Sequence, residues 1–225
     1  MKTLSDKKIV DSWKKNANPW VTAIRNGEID SRIETTNHAI FNAVVETSPK
    51  SVLDIGCGEG WLVRELTKAG INTLGVDVVP KLISSAVKEG TGRYKVLAYD
   101  EISYEVLEEK YDVVVSNFSL LGDESVTNIF RNVPSILADD GYFIVQTVHP
   151  IISCGNAQYK DGWRKGTWDG FNNEFIDPAP WYFRTIDSWK SLYVDNGFYL
   201  IRIEEPLSKK TNTAASILFV GRIEN

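Results

Sequence analysis

Val52-Leu53-Asp54-Ile55-Gly56-Cys57-Gly58-Glu59-Gly60 carries the decision about the fold. A short apolar run passes through three alternating glycines into the amphipathic segment WLVRELTKAG at 61–70. Glycine is needed where φ turns positive or where a ligand must touch the backbone. A strand-to-helix turn of this kind lies at the carboxyl edge of a doubly wound sheet, where ligands bind. A tight turn without a ligand competes with that reading for any lone glycine motif. Asp77 narrows the choice, because it closes the next apolar run about 20 residues after the first loop glycine, the spacing at which an acid takes ribose hydroxyls.

An adenosine-bearing ligand follows, with NAD and S-adenosylmethionine both open. The loop reads GxGxG rather than the GxGxxG of dinucleotide sites, and it carries Glu59. A pyrophosphate seated at that helix N-terminus meets repulsion from Glu59 and Asp54. S-adenosylmethionine instead presents an ammonium and a sulfonium, which two carboxylates suit. An ordinary carboxylate at a helix N-terminus, favoured by the dipole, is the other reading of Glu59.

Outward from the loop the chain alternates. Apolar runs at 51–55, 72–77, 93–98, 111–117 and 141–148 are separated by segments apolar on one face, at 61–70, 80–90, 104–110 and 126–140. Short β-branched runs between helices predict βαβ units and a parallel sheet covered on both faces. Gly70 and Gly90 are helix stops and Asp140-Gly141 a turn. Upstream, residues 9–46 read as helical with breaks at Asn18-Pro19 and Gly27, and Ile33, Ile40, Phe41, Val44 and Val45 form the inward stripe. Downstream, a helix at 187–196 precedes an antiparallel closing pair at 198–206 and 214–223.

Residues 50–148 resemble the core of the class I S-adenosylmethionine-dependent methyltransferases, nearest to the small-molecule branches that include the ubiquinone- and menaquinone-biosynthesis enzymes. VLDIGCGEG, GVDVVPKLISSA, YKVLAYD, YDVVVSNFSLL and LADDGYFIVQTVHP match that family's motifs in order. The resemblance implies a Rossmann-like α/β fold with a seven-stranded sheet, mostly parallel with an antiparallel C-terminal strand, and helices on both faces. The chain divides as one domain: an N-terminal helical cap (1–48), a cofactor-binding core (49–150), an aromatic-rich lid insertion (151–186) and a closing helix with a strand pair (187–225). It implies S-adenosyl-L-methionine as cofactor and S-adenosyl-L-homocysteine as product. Asp54, Gly56 and Gly58, with Cys57 and Glu59 of the same loop, are expected at the methionine end. Asp77 is expected on the ribose, Val78 against adenine, Asp100 on the adenine amino group, and Asn117 and Phe118 beside the sulfonium. Asp100 as a helix cap, Val78 as plain core and Arg32 as a solvated surface arginine compete with those roles. In its cofactor role Arg32 takes the carboxylate, as N-terminal arginines do in some relatives.

Composition limits the acceptor. Net charge is −5 and the pI about 5.2, without a Lys/Arg run, so the footprint of a nucleic-acid binder is missing. The (D/N)PP(Y/F) tetrad of DNA amino-methylating enzymes is also absent, since the fourth run ends Ser116-Asn117-Phe118-Ser119. Two cysteines, Cys57 and Cys154, and two histidines leave no metal-ligand spacing. No apolar run reaches transmembrane length, and MKTLSDKKIVDSWKKNANPW lacks the apolar stretch of a leader. A cytoplasmic protein acting on a small molecule is expected, with oligomeric state left open. His149, directly after the fifth run, is the candidate general base, with a structural histidine before Pro150 as its rival. His38 reads as structural or exposed. Trp163, Trp168, Trp181 and Tyr182 are expected to build the substrate lid for an aromatic acceptor or a cation. A small satellite core is the alternative. O-methylation of a hydroxylated aromatic or quinone-like acceptor is preferred. N-methylation of a small amine, an NAD-dependent oxidoreductase and a non-catalytic S-adenosylmethionine-binding module are the rivals.

Overall fold

The computed structural model describes residues 4–223; Met1–Thr3, where the segment read for a leader begins, and residues 224–225 lie outside the described residues. The elements are α1 (Asp6–Arg25), a π-helical turn (Arg32–Thr36), α2 (Asn37–Val45), β1 (Ser51–Ile55), α3 (Trp61–Lys68), β2 (Asn72–Asp77), α4 (Pro80–Lys88), β3 (Arg93–Val96), a 3₁₀ turn (Tyr99–Glu101) and α5 (Tyr104–Leu107). They continue as β4 (Tyr111–Asn117), α6 (Glu124–Ile136), β5 (Leu137–Thr147), α7 (Pro150–Cys154), β6 (Gly162–Arg164), β7 (Trp181–Phe183), α8 (Ile186–Asp195), β8 (Phe198–Glu204) and β9 (Ile217–Ile223).

Seven strands form one sheet in the order β3-β2-β1-β4-β5-β9-β8. β1 pairs in parallel with both β2 and β4, and β9 runs antiparallel to both β5 and β8. The strand order therefore reverses beside β1, and the crevice at that switch point is where such folds take ligands. On one face, Phe130 and Val133 of α6 and Trp189 and Tyr193 of α8 pack on Leu53, Val114, Phe143 and Phe219. On the other, Ile40 and Val44 of α2 and Leu62 and Leu66 of α3 cover Val52, Val113, Val115 and Ile144. Among the described residues no helix is long and apolar enough to cross a membrane.

Three local expectations are corrected. The helix does not break at Asn18-Pro19, because α1 runs through Pro19 to Arg25. Proline removes one helical hydrogen bond, but Ala17 packs on Val79 and Leu82, and Asn16, fully buried, is clasped by the chain at Ile176. Ile33 is not part of the inward stripe. The π-helical turn inserts a residue into the repeat, so Arg32 and Thr36 face inward and Ile33 stands 51% exposed. β5 starts at Leu137 rather than Gly141, since Leu137 pairs with Tyr111 before a register shift that leaves Asp140 at φ 62°.

The insertion has structure of its own. β6 and β7 form a two-stranded antiparallel hairpin, with Trp163 opposite Tyr182. Trp189 belongs to the core, where its ring stacks 6.1 Å from that of Phe219.

Candidate functional site

The glycine loop is built by close approach. Gly56, Gly58 and Gly60 have φ of 72°, 60° and 83°, a region L side chains avoid. A Cβ on Gly56 would overlap the Ser119 side chain, whose Oγ donates to the Ile55 carbonyl at 2.7 Å. The loop is thus pressed against the end of β4, and the Gly56 and Cys57 N–H groups donate to the Val76 carbonyl of β2. Gly58 N–H donates to Asp77 Oδ2 at 3.0 Å and Val79 N–H to Oδ1 at 2.8 Å. A carboxylate has about four acceptor positions, so Asp77 is held rigidly while keeping capacity for further donors.

Above the crevice α1 closes a cavity of 480 Å³. Arg32, Asp54, Gly56, Cys57, Gly58, Glu59, Asp77, Val78, Asp100, Asn117 and Phe118, scattered over five parts of the sequence, all line it. Ile9, Trp13 and Trp20 of α1, Trp61, Tyr99, Leu121 and Asn128 also line it, as do Asp6, Gly122 and Ser125, and were missed by sequence reasoning. The seven-residue spacing of Trp13 and Trp20 on one helical face was the available signal. Their rings meet edge to face at 5.0 Å.

Buried charge is concentrated here. Burial, reinforced by nearby Asp77 and partly offset by Arg32, pushes the Asp54 carboxyl up to about 7. Burial outweighs the two backbone N–H donors and raises Asp77 to about 6. Burial also lowers Arg32 to about 10, against the pull of Glu59 and Asp54. Among the described residues, three buried polar atoms of the cavity wall have no hydrogen-bond partner: Arg32 Nη2, Asp54 Oδ1 and Asn117 Oδ1. An unpaired buried polar group costs about 1–3 kcal/mol, so these atoms mark where a polar ligand compensates. A donor and an acceptor of opposite charge fit the carboxylate and ammonium of an amino acid, and Asp77 fits a diol. Arg32 is therefore no solvated surface arginine: it is 8% exposed, with its guanidinium 5.1 Å from the Trp61 ring.

Glu59 calls for a correction of the electrostatic argument. Both its oxygens accept from Arg64 Nη2 at 2.8 Å, and Arg25 Nε lies at 3.4 Å. Its charge is answered by those two guanidiniums, so the repulsion expected for a pyrophosphate rests on Asp54 alone.

The residues expected on the acceptor side do not line this cavity. His149 does not line the cavity; it is buried beside Glu205, with Nε2 3.1 Å from Oε1. Trp168 stands behind the wall, 5.8 Å from Trp13. Trp163 meets Tyr182 at 5.6 Å in the hairpin. Trp181 and Tyr182 border a separate small recess with Leu120 and Arg184.

Comparison with known proteins agrees with this geometry. The sequence profile of the methyltransferase domain family matches residues 30–203. The chain belongs to that family, the class I S-adenosylmethionine-dependent methyltransferases. It is similar to an uncharacterized methyltransferase of Schizosaccharomyces pombe, 27% identical over 173 residues, covering 70% of this chain and 62% of that protein. A ubiquinone biosynthesis O-methyltransferase of Rickettsia bellii is 27% identical over 145 residues, covering 61% and 60%. The chain thus spans about six-tenths of the length of these curated relatives. Among solved structures, the 1,6-didemethyltoxoflavin N1-methyltransferase of Burkholderia thailandensis, with S-adenosylhomocysteine bound, superposes at a TM-score of 0.64. It is 15% identical, over 93% of this chain and 87% of that one, a likeness of fold.

Proposed function

We propose that this chain transfers the methyl group of S-adenosylmethionine to a small molecule. The observation that carries the reading is that Arg32 Nη2 and Asp54 Oδ1, both buried and without a hydrogen bond, share a cavity with Asp77, which is held on two backbone N–H groups. When bound, the cofactor supplies an electrophilic methyl on a sulfonium. Arg32 and Asp54 take its amino-acid end, Asp77 its ribose hydroxyls, and Val78 and Asp100 its base. Asn117 and Phe118, at the end of β4, face the reacting atoms. Phe118 is fixed at φ 54° by its N–H to the Gln146 carbonyl at 2.8 Å. The chain's task is to hold the nucleophile in line with the methyl group and to exclude water.

O-methylation of a hydroxylated aromatic or quinone-like acceptor is supported by the Rickettsia relative's name. N-methylation of a small amine is the second reading, and one observation favours it: no histidine is among the residues lining the cavity. An amine that arrives unprotonated needs no base, whereas a phenol does. The test is calorimetric titration with S-adenosylmethionine, S-adenosylhomocysteine and NAD, followed by phenol and amine panels scored by S-adenosylhomocysteine formation. Binding of NAD alone would overturn the reading.

A further inference from the structure

The cavity's outer wall is α1, and its first residue is bonded across the mouth. Asp6 Oδ1 accepts the Asp123 N–H at 2.8 Å and Oδ2 accepts the Ser125 N–H at 2.9 Å. These are N–H groups at the start of the 13-residue α6, whose own N-cap residue, Asp123, makes no side-chain capping bond. The Asp123 carboxylate is engaged instead by Arg184. α6 is therefore capped in trans by a carboxylate from α1, which satisfies orphan donors and the positive end of the helix together.

Gly122 independently points to the same contact. Its φ does not require glycine, yet a Cβ there would overlap Asp6 Oδ1 and Ser125 Oγ. Glycine at 122 thus leaves room for both the Ser125 hydroxyl and the Asp6 carboxylate. Farther along α1, Asn16 Oδ1 accepts the Ile176 N–H at 2.9 Å and Nδ2 donates to the Ile176 carbonyl at 2.7 Å. Ser12 Oγ donates to the Asp177 carbonyl at 2.6 Å. These bonds join the insertion to α1, while Tyr182 and Arg184 bond the insertion separately to Leu121, Gly122 and Asp123; α1's own hydrogen bonds to the start of α6 are those of Asp6.

We infer that Asp6 is a positioning residue, a latch that keeps α1 closed over bound cofactor by capping α6 in trans, with Gly122 left bare to admit it. This rests on the cofactor reading of the cavity. On this reading α1 lifts as the cofactor leaves, and lifting uncaps α6, so the latch adds to the barrier for leaving.

The experiment measures S-adenosylhomocysteine release by stopped flow, and amide hydrogen exchange of α1, in wild type, Asp6→Ala, Gly122→Ala, the double variant and Asp6→Asn. Either single change is expected to speed release about tenfold, the scale of losing charge-assisted hydrogen bonds. Both should lower protection along α1 while β1 and β4 keep theirs, which also establishes that the variants fold. Because one contact is lost in both, the double variant should release no faster than either single one. Asp6→Asn, with one carbonyl oxygen left to accept an N–H, should recover part of the effect. Unchanged release in folded single variants overturns the latch, as do two effects that multiply in the double variant. Wild-type protein that binds no S-adenosylhomocysteine sinks the cofactor reading instead, and α1 exchange in the two single variants still decides the latch.

Discussion

The glycine-loop edge of the sheet and the aromatic insertion are both dense in residues that invite a functional reading, and they behave in opposite ways. At the loop, every residue expected on the ligand lines the cavity, although the Glu59 carboxylate is taken by Arg64 and Arg25. In the insertion, none of Trp163, Trp168, Trp181 and Tyr182 does. The loop's placement follows from local chemistry, a positive-φ turn at the carboxyl end of β1 and an acid at the end of β2, and the sheet register brings these together. The insertion's aromatic rings have no such local constraint and bury area wherever a partner surface exists. Two of them find it on the back of α1, where Trp168 meets Trp13 and Phe171 meets Trp20 at 6.3 Å, while Trp163 and Tyr182 pack on each other in the hairpin. The ring-bearing wall is supplied by α1, with the insertion as its buttress.

The sharpest way to break this contrast is Asp77→Ala. Removing a carboxylate held by two backbone N–H groups is expected to weaken S-adenosylhomocysteine binding at least about 100-fold, roughly 3 kcal/mol. Near-wild-type affinity by calorimetry would strip the loop edge of its assigned role.

A smaller effect comes from protons. The folded chain holds protons on Asp54 (about 7) and Asp77 (about 6) that the unfolded chain loses near pH 4. Both values are raised, so stability of the ligand-free protein should fall as pH rises from about 4 to 7 and level off above. A cationic ligand favours the ionised carboxylates, so affinity should rise about tenfold from pH 6 to 8, with protons released on binding. Calorimetry at pH 6 in buffers of different ionisation enthalpy counts them; zero release would show that Asp54 is already ionised or does not face the ligand.

Comparing Trp13→Ala with Trp168→Ala sharpens wall against buttress. The first is expected to weaken S-adenosylhomocysteine binding about fivefold through lost wall contacts, and the second to stay within about twofold, with its cost in stability instead. Equal losses of affinity would return the insertion to the site.

The smallest effect belongs to His149→Ala. Its partner Glu205 is half exposed, and such pairs contribute about 1 kcal/mol or less. Thermal unfolding should register a shift of a few degrees, with cofactor affinity unaltered. A large loss of turnover with an identified acceptor would restore His149 as a base.

Much of the fold was legible because periodicity and turn chemistry act over a few residues. β1, β2 and β4 run at 51–55, 72–77 and 111–117, as their apolar runs predict, and Gly70 and Gly90 stop α3 and α4 at φ 85° and 89°. Pro19 and Ile33 were misread because a helix kept by long-range contacts tolerates a proline, and because a π-helical turn rotates the stripe without a local sequence signature. The sequence by itself determined the sheet, the turn beside β1 and the acids that edge it, since each is a matter of backbone conformation and residue spacing. Only the tertiary structure decided that Arg32 is inside, that Glu59 is neutralised by Arg25 and Arg64, that His149 faces Glu205 and that Asp6 caps α6. Those outcomes join residues up to 119 positions apart, and no local preference encodes which buried charge will find which partner once the chain has closed.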